Sequence, residues 1–222
     1  MQGKTDSLRS IKHARTRLAL MNAFIGRMRG ERFEDISIRD ICRSAEVSEG
    51  TFFNYFPEKI NVLNYFVSLM TVKFIWNARR KARRGGGIAL INSFFNELAD
   101  EFLKVNITYE VIATMVVRQG KVRKIEISPL EKRLFFPELK GVENEKTLLM
   151  QEFMEICLRR AAACGELPRA VNINDTVLTL MSIMVGTLIA IKFSRSKSLK
   201  RHYRRQLGML WRGLGPSQSR GK

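Results

Sequence analysis

The sequence predicts an all-α protein of about nine helices, and three observations support that fold class. Apolar residues repeat at the three- to four-residue spacing of amphipathic helices through most of the chain. No alternating run bounded by turn signals supports a sheet, although Val122 to Ile127 is a weak strand-like exception. The 222 residues, 45% of them apolar, are ample for the core of one large domain or two modest ones.

The net charge narrows the choice of partners. Lys and Arg number 39 against 21 Asp and Glu, a formal charge of +18, which favours a polyanion such as nucleic acid over a merely solvated surface. Three cysteines without CxxC spacing indicate neither a disulfide framework nor a zinc site, so a reducing cytoplasm is the expected compartment. The amino terminus shows no apolar leader segment.

The first three helices form a small module. Ile11 to Arg29 reads as an amphipathic helix, and two short helices joined by a tight turn follow Gly30. Ser37 is placed to cap the second helix, with Asp40 reaching back, and Ser48 to cap the third. Two short helices separated by such a turn have the outline of a helix-turn-helix, whose second helix can enter a DNA major groove.

The stretch from Phe33 to Leu63 resembles the DNA-binding segment of the TetR family of transcriptional regulators. The matching residues are Phe33, Ser37, Ile38, Asp40, Ile41, Ala45, Val47, Ser48, Gly50, Thr51, Tyr55, Phe56, Pro57, Lys59 and Leu63. Arg32 and Glu46 stand where the family usually has Gly, and Phe53 replaces the usual Tyr. A positive φ at Glu46 would therefore be strained.

The resemblance implies a homodimer that reads a palindromic operator. Glu49, Gly50, Thr51 and Asn54 are the candidates for contacts to base edges. The candidates for contacts that hold the DNA backbone or the reading helix are Ser37, Ser48, Thr51, Phe53, Tyr55 and Lys59.

The remaining chain reads as a larger helical module. A long helix from Glu58 to Arg84 bridges into it, and Gly85 to Gly87 ends that helix. Further helices are predicted over 88–105, 108–120, 143–164, 174–193 and 199–213, with Pro129 and Pro137 among the breakers. We therefore expect a DNA-binding domain over 1–57, a ligand-binding and dimerisation domain over 58–215, and a tail over 216–222.

The last two helices are candidates for a dimer interface. Thr176 to Ile191 is uncharged, but its 16 residues fall short of the roughly 20 that span a bilayer, so a buried helix is expected. With the family resemblance, a two-fold four-helix interface is favoured over burial within one chain. The interface candidates are Thr179, Ser182, Gly186, Ala190, Leu207 and Trp211.

No motif for catalysis, a metal or a cofactor is present, so an enzyme is not expected. TetR-like regulators commonly hold an inducer in the second module, which implies a pocket for a small apolar or aromatic molecule. Its candidates also suit an ordinary core: they are Phe94, Phe95, Phe102, Met115, Met150, Phe153, Met154, Met181 and Met184. The alternatives are a sequence-tolerant basic nucleic-acid-binding or scaffold protein, and an enzyme with an all-α site that short motifs do not reveal.

Overall fold

The computed structural model describes residues 7–83, 85–104, 107–117, 123–193 and 198–215. Within them the chain is all-α, as predicted, with ten α-helices and one short 3₁₀ turn. The helices are α1 Leu8–Arg27, α2 Ile38–Ser44, α3 Glu49–Tyr55, α4 Ile60–Lys81, α5 Gly87–Lys104, α6 Ile107–Val117, α7 Pro129–Phe135, α8 Met150–Ala163, α9 Ile173–Phe193 and α10 Leu199–Leu214, and the 3₁₀ turn is Val142–Asn144. The predicted tail, 216–222, lies outside the described residues.

The chain divides into two compact units that differ from the predicted domains. Unit 1 comprises 1–73 and 106–148, and unit 2 comprises 74–105 and 149–222. Unit 1 therefore contains more than the predicted DNA-binding domain over 1–57, because α1 packs against α7 as well as against α2. The helix α4 contributes to both units.

Pro129 begins a helix rather than interrupting one, which corrects the expectation of a breaker there. Ser128 Oγ accepts the backbone N–H of Glu131 at 3.2 Å, and Glu131 Oε2 accepts the N–H of Ser128 at 2.7 Å. This reciprocal pair is a capping box, and proline is tolerated in the first turn because that turn's N–H groups have no helical partner. The result is α7, a seven-residue helix that the apolar pattern alone did not indicate.

In unit 2, α5 packs on α8 and α10, while α9 packs on α8 and α10. Gly87, the first residue of α5, allows this helix to approach α8 closely. A Cβ on Gly87 would lie 2.0 Å from the carbonyl oxygen of Cys157 in α8, so only glycine fits there. Glu166 Oε2 accepts the N–H of Ile88 at 2.9 Å and so caps the start of α5.

Within the single chain, α9 is covered on one side only. Its inner face is buried and includes Leu180, Met184 and Leu188, whereas Leu178 and Phe193 are exposed. In the described part of the chain, Ile173–Ile191 is the one stretch long and apolar enough to cross a membrane, and 28% of that stretch is buried. Length and composition alone do not distinguish a membrane span from a helix that packs against another protein.

Candidate nucleic-acid interface

The start of α3 is fixed by Ser48. Its Oγ accepts the backbone N–H of Thr51 at 3.2 Å and lies 2.9 Å from Thr51 Oγ1. Ser37 plays the same part for α2, where its Oγ accepts the N–H of Asp40 at 3.3 Å. The carboxylate of Asp40 lies 3.3 Å from Arg43 Nη1, on its own helix. Both hydroxyls thus satisfy N–H groups that helix starts leave without partners.

The turn between α2 and α3 closes at Glu46. This residue has φ of 54°, the left-handed region, which L-residues adopt at a cost that glycine avoids. The N–H of the next residue, Val47, donates back to the carbonyl of Cys42 in α2 at 3.0 Å and closes the end of that helix. The strain foreseen for a non-glycine residue at position 46 is therefore present.

Aromatic packing holds the inner face of α3. Phe52 and Phe56 are fully buried, their ring centroids 5.8 Å apart, and Phe56 continues to Tyr65 of α4 at 5.6 Å. Phe33 packs edge-on against Phe24 of α1 at 5.7 Å. Ile38 and Val47 of the same module are only half-buried. This aromatic core fixes α3 on the body of unit 1.

The opposite face of α3 is open to solvent. Glu49, Gly50 and Asn54 are exposed, and Phe53 is 45% exposed, so these four residues form what we call the reading face. Thr51 and Tyr55 are half-buried at its margins. The ring of Tyr55 lies 4.8 Å from that of His13 in α1. An exposed face opposite a rigid apolar one is the arrangement that a groove-reading helix needs.

Lys59 is engaged within unit 1. Its Nζ donates to the carbonyl oxygen of Glu34 at 3.1 Å and lies 4.9 Å from the centre of the Phe33 ring. This cation–π contact ties the loop before α2 to the segment before α4. The side chain is half-buried, and its contribution to DNA binding remains a prediction.

A buried polar cluster links three helices of unit 1, and sequence reasoning did not identify it. Glu131 of α7, 2% exposed, accepts hydrogen bonds from Tyr65 Oη at 2.7 Å and from Arg17 Nη1 at 3.1 Å. The Arg17 guanidinium also lies over the Tyr65 ring at 4.2 Å. The S-x-x-E capping pattern at Ser128 was a visible signal for α7, but nothing in the sequence pairs Glu131 with residues of α1 and α4.

Electrostatics keep this cluster charged. Burial alone would raise the pKa of Glu131, but the hydrogen bonds from Ser128 and Tyr65, with the charge of Arg17, outweigh it and hold that pKa below its ordinary value. Burial and the neighbouring carboxylate raise the pKa of Tyr65, so its hydroxyl stays protonated and donates. Arg17 and Glu131 therefore form an ion pair at neutral pH.

The nine pocket candidates are not gathered around one cavity. Met115 lies in unit 1 and the other eight in unit 2. Phe94 and Phe153 pack as core at 5.3 Å, and Phe95 packs on Tyr203 at 4.9 Å. A pocket of about 330 Å³ does lie in unit 2, and Phe153 is the one candidate that lines it. Its other lining residues are Arg79, Ala82, Arg83, Leu90, Ile156, Cys157 and Arg160.

Four of the interface candidates share one exposed face of α9. Thr179, Ser182, Gly186 and Ala190 are exposed, spaced three or four residues apart. Trp211 of α10 is half-buried, and its Nε1 donates to Asn92 Oδ1 at 3.0 Å. Leu207 corrects the prediction: it is 2% exposed and packs inside the chain, so it is not available to a second subunit. Leu178, Ile189 and Phe193 are exposed on α9 instead.

Comparison with solved structures identifies the fold, whereas no protein-family model and no curated protein matches the sequence. FadR of Thermus thermophilus, a TetR-family repressor solved with lauroyl-CoA, has a TM-score of 0.65 at 18% identity, covering 93% of this chain and 98% of that one. A TetR-family regulator from Rhodococcus sp. has a TM-score of 0.61 at 13% identity, covering 90% and 99%. FadR of Bacillus subtilis, solved with stearoyl-CoA, has a TM-score of 0.60 at 13% identity, covering 88% and 98%.

The similarity extends over nearly the whole length of each chain. The protein therefore has the fold of TetR-family transcriptional regulators, which confirms the fold implied by the residues from Phe33 to Leu63. These similar structures belong to transcriptional regulators rather than to enzymes.

Proposed function

We propose that this protein is a cytoplasmic DNA-binding transcriptional regulator that acts as a homodimeric repressor on a palindromic operator. The observation that carries the proposal is the reading face, which the Ser48 cap and the buried Phe52 hold in a fixed orientation. Asn54 is the residue suited to a bidentate contact with adenine, and Glu49 can accept from the amino group of cytosine. The charge of +18 supplies the attraction to phosphates that any such protein needs.

The exposed face of α9 supports the homodimer. A soluble protein rarely leaves Leu178, Ile189 and Phe193 in water along one helix unless another surface covers them. The small side chains between them let a second helix approach closely, and α9 is 21 residues long, about 30 Å. Two copies related by a two-fold axis would present two reading faces to successive major grooves about 34 Å apart.

Release by a small molecule is the remaining part of the proposal. Two of the similar structures hold lauroyl-CoA or stearoyl-CoA, ligands with long apolar chains, which supports an apolar ligand class here. The helix α4 runs without interruption from Ile60 to Lys81 and belongs to both units. We expect a ligand bound in unit 2 to act on DNA binding through this helix, by changing the separation of the two reading faces.

The operator is first found by selecting duplexes from a randomised library on the full-length protein. We expect enrichment of a palindrome, bound more tightly than a scrambled duplex of the same composition at physiological salt. Asn54→Ala should weaken binding to the palindrome by about 1–3 kcal/mol and relax specificity at one base position of each half-site. Gln151→Ala removes an exposed amide from α8 and serves as the matched control.

The alternative function has its own signature. A sequence-tolerant basic protein, which the net charge also favours, would bind palindromic and scrambled duplexes equally and would lose affinity steeply with salt. That result would contradict the operator proposal. Equal effects of Asn54→Ala and Gln151→Ala would show that α3 does not read the bases.

A further inference from the structure

The 330 Å³ pocket of unit 2 combines two kinds of lining. It lies where the end of α4 and the beginning of α5 meet α8. Arg79, Arg83 and Arg160 supply three guanidinium groups, and the rest of its lining is apolar apart from one thiol. None of the described lining residues carries a carboxylate. Its volume is within the range of small-molecule sites.

The cations at this pocket, including Arg83 and Arg160, are exposed. Arg160 Nη2 donates to the carbonyl of Gly85 at 3.2 Å, and within the described residues no carboxylate pairs with Arg83 or Arg160. The neighbouring Arg159, in contrast, is held by Glu155 at 2.7 and 2.9 Å. Guanidinium groups brought together without carboxylates attract an anion, and arginine binds carboxylate or phosphate through two parallel hydrogen bonds.

The apolar lining suits a hydrocarbon rather than a bare ion. Phe153 and Cys157 are almost fully buried at the pocket, whereas Ile156 is 49% exposed. Burial raises the pKa of Cys157 to about 12, against the opposing charges of Arg79 and Arg160, so the thiol stays neutral and behaves as an apolar group. An apolar body in this pocket would cover the exposed part of Ile156.

We propose that this pocket binds an amphipathic organic anion, with its phosphate or carboxylate head on Arg83 and Arg160 and its apolar body against the exposed side chain of Ile156. The proposal deepens the proposed function, on which it rests, by assigning the ligand class and the site of the inducer. It adds an anionic head to the expected apolar or aromatic ligand. Arg79 belongs to α4 itself, so an anion at this pocket interacts directly with the helix through which we expect release.

Binding is measured by isothermal titration calorimetry on the full-length protein without DNA. The probes are octyl phosphate and octanoate, with octanol as the neutral body and inorganic phosphate as the bare head. We expect one of the two anionic probes to bind at least about tenfold more tightly than octanol and inorganic phosphate, and the tighter one identifies the head. Equal affinity for octanol would overturn the assignment of the head, and equal affinity for inorganic phosphate would overturn that of the body.

Variants locate the site. Arg160→Gln and Arg83→Gln should each weaken binding of the anionic probe about tenfold and leave octanol unchanged. Ile156→Asn should weaken the binding of the anionic probe and of octanol alike, because both have an apolar body. Arg159→Gln removes an adjacent charge that Glu155 already holds, so it should have no effect. A loss with Arg159→Gln equal to that with Arg160→Gln would show attraction to the overall charge and overturn the site. Circular dichroism confirms that each variant is folded.

A separate measurement distinguishes the site from the proposed function. The same probe is titrated into the complex of the protein with its selected duplex, and release is followed by fluorescence anisotropy. Binding through Arg83 and Arg160 that leaves the duplex bound supports the site and contradicts release at it. Absence of any preferred duplex contradicts the proposed function, whereas the calorimetric result on the pocket still holds.

Discussion

Substitution of Glu131 by Gln tests the buried cluster of unit 1. The change keeps the shape of the side chain and its ability to accept from Tyr65, but it removes the charge that faces Arg17. The Arg17 side chain is 14% exposed, and its Nε has no hydrogen-bond partner among the described residues. Without Glu131 the guanidinium keeps the Glu126 carbonyl at 3.4 Å and the rings of Tyr65 and Phe56, none of which carries a compensating charge. Removing one partner of such a pair costs about 3 kcal/mol of the free energy of unfolding.

The pH dependence of this loss follows from the sign of the shift. The folded-state pKa of Glu131 lies below its ordinary value of 4.5, so the ionised form stabilises the folded state above that pH. The contribution is lost as the pH falls below 4.5 towards the folded-state pKa. Because Gln does not titrate, the difference in stability between the wild type and Glu131→Gln should be largest at neutral pH and shrink on acidification.

The assay is urea unfolding followed by far-ultraviolet circular dichroism at several pH values, with Glu126→Gln as the control. Glu126 is exposed and lies 3.8 Å from Lys124 Nζ, so its loss should cost less than about 1 kcal/mol. The reasoning is refuted if Glu131→Gln costs no more than the control, or if its cost is the same at acidic and neutral pH.

Three further predictions concern the turn before α3, the reading face and the proposed dimer interface on α9. Glu46→Gly should raise the free energy of unfolding by up to about 1 kcal/mol because φ of 54° suits glycine, whereas Glu46→Ala, which keeps a Cβ, should not; equal effects in denaturant titrations would contradict this. Phe53→Tyr should increase affinity uniformly across duplex sequences by restoring a hydroxyl that can reach a phosphate, and a decrease in anisotropy titrations would disprove that role. Leu178→Lys should dissociate the dimer in analytical ultracentrifugation, whereas Leu134→Lys, at an exposed position of α7, should not; a dimer that survives Leu178→Lys has its interface elsewhere.

Local signals in the sequence were enough to predict α2, α3 and the turn between them. Ser37 and Ser48 cap their helices through residues three positions away, so both helix starts could be predicted from short-range chemistry. The turn at Glu46 was predictable for the same reason. In contrast, a proline by itself predicts the interruption of a helix. Pro129 fits the first turn of α7 because Ser128 caps that helix.

Local signals could not predict the hydrogen bonds of Glu131 to distant residues, nor the burial of α9 on one side only. Glu131 is 114 residues from Arg17 and 66 from Tyr65, and no periodicity connects them. The apolar composition of α9 correctly indicated apolar partners, but it could not show that α8 and α10 cover only one side. Phe and Met residues fill cores and line pockets alike, so composition could not separate Phe94, a core residue, from Phe153, which also lines the pocket.

The division of unit 1 into two chain segments affects how the protein is made. Arg17 leaves the ribosome 114 residues before Glu131, so at about 5–20 residues per second it waits roughly 6–23 s for its carboxylate partner. The reading helix is synthesised within that interval, together with its capping residues and its aromatic core. Unit 1 can be completed only after α5, which belongs to unit 2, has been synthesised. The nascent chain therefore carries α3 for several seconds before α7, the helix that supplies Glu131, exists.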